Sequence, residues 1–308
     1  MNKITIVGAG RVGESTAQII AKEELCREVV LLDVEDGVPQ GVALDIQQSG
    51  ALLRFDTRVR GDTDSAAMAD SDLVIITAGF PRKPGMSRSE VLDVNLSIID
   101  DIVDDVLRFA PSALLMMVTN PVDVLTWHAW RKTGWRRERV FGQSGALDTA
   151  RMTSFIAMET GYSVKDISGL VLGGHGDAMV PLPRFTDIAG IPLENFLSDE
   201  EIEQIAERTR KGGGEILALK KHSSAYDTPA AAIAAMVDAI GHNRRRILPC
   251  VGILDGEYEQ QNIAMGVPAV LDKHGLVQII ELKLNERERD DFRRSADMVR
   301  KDIAQLPD

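Results

Sequence analysis

The chain has 308 residues, 44% of them apolar and 27% charged, which allows a large core and, at this length, two domains. A net charge of −12 disfavours nucleic acid and anionic membranes as partners. Two cysteines, Cys26 and Cys250, exclude a disulfide scaffold and a Cys-x-x-Cys metal pair, and no apolar run reaches the ~18 residues of a membrane span, so a cytoplasmic location is expected.

Ile4 to Val7 is β-branched and apolar, which fits a strand buried on both faces of a parallel sheet. The N-terminus thus enters a strand pattern rather than a signal peptide. Gly8-Ala9-Gly10-Arg11-Val12-Gly13 follows, then a helical stretch from Ser15 to Lys22, then a second strand from Glu28 to Leu32 ending in Asp33. Strand, Gly-x-Gly-x-x-Gly, helix, strand and acid in that order form a dinucleotide-binding fingerprint. Gly8 permits the tight turn, Gly10 permits backbone approach to a pyrophosphate, and Gly13 permits close packing of helix on sheet. The helix N-terminus offers free N–H groups to phosphates. Asp33 can accept from a ribose diol and would repel a 2′-phosphate, so NAD is expected rather than NADP.

Val38 to Ser49 reads as a crossover helix, Val59 marks a third strand, and Asp72 to Thr77 a fourth. Phe80-Pro81-Arg82-Lys83-Pro84-Gly85-Met86-Ser87-Arg88 follows as a loop at a strand's carboxyl end, where open α/β sheets bind ligands. Its arginines could clamp an anion or simply be solvated. Val91 to Phe109 is a helix carrying Asn95, and Ala113 to Val118 a fifth strand ending in Thr119-Asn120-Pro121-Val122-Asp123. Asn120 can both donate and accept there. Val124 to Lys132 is helical, and Val140 to Gly142 is a last strand.

Near residue 143 the pattern changes without a flexible linker. We therefore expect a dinucleotide-binding domain over residues 1–143 and a substrate domain of α+β type over residues 144–308. Gly145 to Thr160 reads as a helix with Asp148 and Arg151 on one face. Ile167 to Leu172 reads as a strand that delivers Gly173-Gly174-His175-Gly176-Asp177. A histidine among glycines stands open to a small ligand and titrates near neutral pH. Ser198 to Glu201 resembles a capping box before a long helix, and Thr228 to Asn243 is an alanine-rich helix. Arg246 to Ile253, Asn262 to Met265, Pro268 to Leu271 and Val277 to Ile280 read as a small antiparallel sheet, and Asn285 to Ala304 as a terminal helix. His128, His222, His242 and His274 are scattered with no metal-ligand spacing. The fold class expected is α/β, a Rossmann doubly wound parallel sheet followed by the α+β domain.

These motifs together resemble the lactate/malate dehydrogenase superfamily over essentially the whole chain, and most nearly its malate dehydrogenases built on the lactate dehydrogenase plan. The resemblance rests on the glycine fingerprint, Arg82 to Arg88, Thr119 to Asp123, Leu147-Asp148-x-x-Arg151, and Gly173 to Pro181. It implies that His175 is the general acid/base and that Asp148 orients its ring. It implies that Arg151 holds the C1 carboxylate and that Arg88 polarises the reacting carbonyl. Asn120 would bond near the reacting oxygen. Gly8, Ala9, Gly10, Arg11, Val12, Gly13, Asp33, Asn95, Val118, Thr119 and Asn120 would contact the cofactor. Lactate dehydrogenases resemble this chain but carry glutamine at position 82, whereas Arg82 suits the second carboxylate of malate or oxaloacetate. The resemblance also implies a homo-oligomer, tetramer or dimer.

One departure stands out: Ser224-Ala225-Tyr226-Asp227-Thr228-Pro229 carries Asp227 where relatives have a neutral residue. Its side chain is expected to turn from the pocket, toward an arginine. The competing functions are a lactate or other 2-hydroxy-acid dehydrogenase and, in a different class, a non-catalytic NAD-binding protein.

Overall fold

The computed structural model describes residues 1–80 and 88–307. The first half alternates strands and helices: β1 (Lys3–Val7), α1 (Arg11–Lys22), β2 (Glu28–Leu32), α2 (Val38–Leu53), β3 (Arg58–Asp62), β4 (Leu73–Ile76), α3 (Arg88–Phe109), β5 (Leu114–Met117), α4 (Val122–Thr133) and β6 (Val140–Gly142). The six strands are parallel in the order β3-β2-β1-β4-β5-β6. That is the dinucleotide-binding arrangement, with its switch point between β1 and β4. Alternation along the strands feeds two cores. Ile4, Ile6, Leu73 and Ile75 enter one with α1 and α2; Val7, Val74, Ile76, Leu115 and Met117 enter the other with α3 and α4. Each such aliphatic side chain contributes about 1.5–3 kcal/mol by leaving water.

The second half contains α5 (Gly145–Thr160), β7 (Ile167–Ser168), β8 (Val171–Gly173), β9 (Met179–Pro181), β10 (Asp187–Ile188), β11 (Ile191–Pro192), α6 (Asp199–Lys220), α7 (Asp227–Gly241), β12 (Arg246–Asp255), β13 (Gln261–Asp272), β14 (Gly275–Ile279) and α8 (Glu286–Ile303). Strands β12, β13, β8 and β9 run antiparallel and join the parallel sheet through Val251 opposite Gly142. A separate three-stranded antiparallel sheet holds β11, β10 and β7.

Three expectations from periodicity change. The stretch from Ile167 to Leu172 divides into β7 and β8, which lie in different sheets. The two segments on either side of Val267 are one strand, β13. Pro268 is tolerated there because its carbonyl points to β14, accepting from Ile280 N at 2.9 Å, so its missing N–H faces the end of that short strand and not β12. Helix α1 starts at Arg11 rather than Ser15, which places Gly13 inside its first turn. The expected capping box forms between Ser198 and Glu201, and the structure adds a second, Asn285 with Glu288 at the start of α8. Among the described residues, no helix is long and apolar enough to cross a membrane.

Candidate active site

The glycine loop is shaped by contacts that only hydrogen permits. Gly8 has φ +108°, and a Cβ there would lie 2.6 Å from Ala78 N. At Gly13 it would lie 1.9 Å from Gly8 O. Gly10 is different: no atom lies within 4 Å of a Cβ placed there, so its backbone faces open space at the N-terminus of α1. Asp33, at the end of β2, accepts from Ala9 N at 2.8 Å through Oδ2 and from Glu35 N at 3.2 Å through Oδ1. It therefore braces the loop and still has lone pairs to offer. Open backbone N–H groups at a helix start, beside a carboxylate, fit the pyrophosphate and ribose of a dinucleotide.

Next to this cradle, two strand ends are tied together. Asn95 is 2% exposed; its Oδ1 accepts from Phe80 N at 2.6 Å and its Nδ2 donates to Asn120 O at 2.8 Å. Thr119 Oγ1 donates to Ala78 O at 2.5 Å. Asn95 and Thr119 thus hold the chain that leaves β4 against the chain that leaves β5. Val118 is half-buried beside them, while Asn120 is exposed and lines the cleft described below.

A cluster of three polar side chains is carried by α5 and the turn after β8. His175 Nδ1 lies 2.8 Å from Asp148 Oδ2, and Arg151 Nη1 donates to Asp148 Oδ1 at 3.0 Å. Asp148 is 2% exposed and Arg151 11%, so this is no surface ion pair. An ionised carboxylate can only accept, so Nδ1 carries hydrogen and Nε2 is the nitrogen left for a substrate. Burial would push the imidazole pKa down. The Asp148 charge and hydrogen bond, then the Asp123 charge, outweigh it and raise the pKa above its ordinary value, with Arg151 opposing. Asp123 also accepts the His175 backbone N–H at 2.8 Å, a role that neither its spacing nor its motif disclosed.

His175, Asn120 and Arg151 line one cleft of ≈ 1120 Å³, closed on the far side by α6. The helix carries Gly212-Gly213-Gly214 there. A Cβ at Gly212 would be 3.2 Å from Arg151 Cδ, and at Gly213 3.5 Å from Arg151 Nη2, so small residues make room for the guanidinium. Among the described residues, none hydrogen-bonds the buried Arg151 Nε, which leaves donor capacity for an anion. Asp227 is the first residue of α7 and its side chain is 77% exposed. It stands 3.9 Å from Lys220 Nζ, a lysine and not an arginine. A carboxylate at a helix start is favoured by the helix dipole, which accounts for the departure without the substrate.

Arg82 lies outside the described residues. Arg88 is the first residue of α3 rather than the end of a loop. No cluster of metal-ligating side chains occurs among the described residues.

Residues 2–142 match the NAD binding domain of lactate/malate dehydrogenase, and residues 145–307 match the alpha/beta C-terminal domain of the same family. A malate dehydrogenase of Nitrosococcus oceani is 66% identical over 306 residues, covering 99% of this chain and 98% of its own length. One of Thioalkalivibrio sulfidiphilus is 59% identical, with 99% of this chain and 100% of its own covered. Among solved structures, malate dehydrogenase from Salinibacter ruber superposes with a TM-score of 0.95 at 41% identity, covering 99% and 97% of the two chains. Lactate dehydrogenase from Cryptosporidium parvum, complexed with lactic acid and nicotinamide adenine dinucleotide, does so at 0.94 and 35%, covering 99% of both. With a glycine cradle, a histidine paired to a buried carboxylate and a full-length match to both halves, the chain belongs to the lactate/malate dehydrogenase family and carries its NAD-binding domain.

Proposed function

We propose that this protein is an NAD-dependent malate dehydrogenase that interconverts (S)-malate and oxaloacetate. The observation that carries the reading is the Asp148 carboxylate shared by His175 and Arg151 at the edge of a cleft. NAD, when bound, accepts or supplies the hydride. Gly8 to Gly13 and Asp33 hold its pyrophosphate and ribose side, and Asn95, Val118, Thr119 and Asn120 form the wall by its nicotinamide end.

Arg151 binds the substrate's C1 carboxylate, and Arg82 binds the second carboxylate. His175 Nε2 donates a proton to the carbonyl oxygen of oxaloacetate, and as neutral imidazole it takes the proton from the malate hydroxyl. Asp148 keeps the ring in the tautomer that presents Nε2. Arg88 and Asn120 stabilise charge on the reacting oxygen. The chain divides near residue 143, so that residues 1–143 hold the cofactor and residues 144–308 supply His175, Asp148 and Arg151.

Purified protein is assayed for NADH oxidation with oxaloacetate and with pyruvate. Oxaloacetate is expected to be preferred by ~10³ or more in kcat/KM, because pyruvate leaves Arg82 without an anion. Equal rates would favour a lactate or other 2-hydroxy-acid dehydrogenase. NADH binding without turnover would mark a non-catalytic NAD-binding protein. Arg82→Gln is expected to lower oxaloacetate kcat/KM sharply while NADH affinity holds.

A homo-oligomer, dimer or tetramer, is proposed from the outer side of α2. Leu44 and Leu52 are 58 and 86% exposed there, although the helix is buried on its other side. Light scattering at the monomer mass of 33.7 kDa would overturn it. A cytoplasmic location is proposed from the two free, buried thiols, Cys26 and Cys250, which burial pushes up to about 12.

A further inference from the structure

The turn that carries His175 is held from behind by two side chains that never reach the cleft. Gly174 N donates to Ser295 Oγ on α8 at 2.8 Å, and His175 N donates to Asp123 Oδ2 on α4 at 2.8 Å. Both anchors are buried, Ser295 at 2% and Asp123 at 3% exposure. One is a neutral hydroxyl, which suffices to satisfy a backbone N–H. The other is a carboxylate, whose charge acts beyond the hydrogen bond it accepts. Asp148 already serves as acceptor and counter-charge for the ring. Asp123 adds a second buried carboxylate, one hydrogen bond from the His175 main chain.

We propose that Asp123 is a positioning residue for the reaction: it fixes the His175 main chain and places a second buried negative charge behind the imidazole, favouring its protonated form. The inference rests on His175 being the acid/base group. It agrees with the raised pKa of His175, where the Asp123 charge acts in the same direction as Asp148. Among the described residues, helix α5 brings Asp148 and Arg151 to the ring, the turn itself brings Asp177, and α8 brings Ser295. Across the cleft, α6 presents the carboxylates of Glu200, Glu203, Glu207 and Glu215 and the cations of Arg208, Arg210 and Lys211.

Two substitutions separate charge from anchoring in the intact enzyme. Asp123→Asn keeps a carbonyl oxygen to accept from His175 N and removes the charge. Ser295→Ala removes the other anchor and leaves every charge. The readout is kcat/KM against pH for oxaloacetate reduction and for malate oxidation. Asp123→Asn is expected to move the His175 limb down by about one pH unit. Reduction then falls about tenfold above the limb, while oxidation rises below it. Ser295→Ala is expected to lower kcat with the limb unmoved. An unmoved limb in Asp123→Asn, or the same displacement in both variants, would overturn the proposal. If Asp123→Asn does not fold, the His175 amide proton of the unsubstituted enzyme is followed by NMR. It should resonate far downfield and exchange slowly, and a random-coil position with fast exchange overturns the proposal. Absence of oxaloacetate turnover in the unsubstituted enzyme overturns the functional reading instead, whereas normal turnover with an unmoved limb overturns only the role of Asp123.

Discussion

Asp148 serves two donors with two oxygens, and that economy makes it sensitive to substitution. In Asp148→Asn one oxygen becomes an amide donor, so either His175 Nδ1 or Arg151 Nη1 loses its acceptor. The variant is expected to lose about 10²–10⁴ in kcat with oxaloacetate, while NADH affinity, read by fluorescence, stays within a few-fold. Because the folded pKa of His175 is raised above the ordinary 6.5, oxaloacetate reduction should persist above that pH and then fall as the ring deprotonates. Malate oxidation should rise over the same range. The sign for stability follows from the same direction. The pair stabilises the fold fully below 6.5 and loses that contribution as pH climbs through the raised folded value. Thermal midpoints on both sides of the limb, compared with His175→Asn, check it; a midpoint difference independent of pH would contradict the assignment.

Single helices show how function and stability pull apart. A glycine inside a helix costs about 1 kcal/mol relative to alanine, and α6 carries three in succession. Nothing lies within 4 Å of a Cβ at Gly214, so Gly214→Ala should stabilise the protein by up to ~1 kcal/mol in urea unfolding. At Gly212 the added methyl would meet Arg151 Cδ at 3.2 Å, so Gly212→Ala should gain less and raise the KM for oxaloacetate. Gly13 in α1 is stricter still. Its Cβ would lie 1.9 Å from Gly8 O, and Gly13→Ala should both destabilise the chain and weaken NADH binding. Such elements were legible to different degrees. The parallel strands could be read from their apolar runs, and the start of α6 from its capping residues. The division of Ile167 to Leu172 between two sheets could not, because a short apolar run carries no mark of which partner it will find. The glycine run of α6 carried no chemistry of its own until Arg151 was placed against it.

Across the whole molecule, ion pairs between distant segments bind the two halves and the terminal helix. Arg137 meets Glu257 at 2.8 Å, and Arg184 donates to Glu288 through Nε at 3.0 Å. Burial works against both carboxylates, yet their arginine partners hold them below the usual glutamate value. Their stabilisation is present above about pH 4.5 and is lost as pH falls through the depressed folded values. Acid unfolding should therefore shift to higher pH in Glu288→Gln, by circular dichroism; an unchanged midpoint would rule that pair out as a contributor. The glycine cradle, the alternation of strand and helix and the residue types able to do the chemistry are legible in the chain alone, since these depend on local backbone freedom and on periodicity within a few residues. The tertiary fold was needed to bring Asp148 between His175 and Arg151, to set Asn95 between two strand ends, and to place Asp123 and Ser295 against the histidine turn. Those contacts join residues up to 121 positions apart, and a hydrogen bond between distant residues leaves no periodic trace in the chain that makes it.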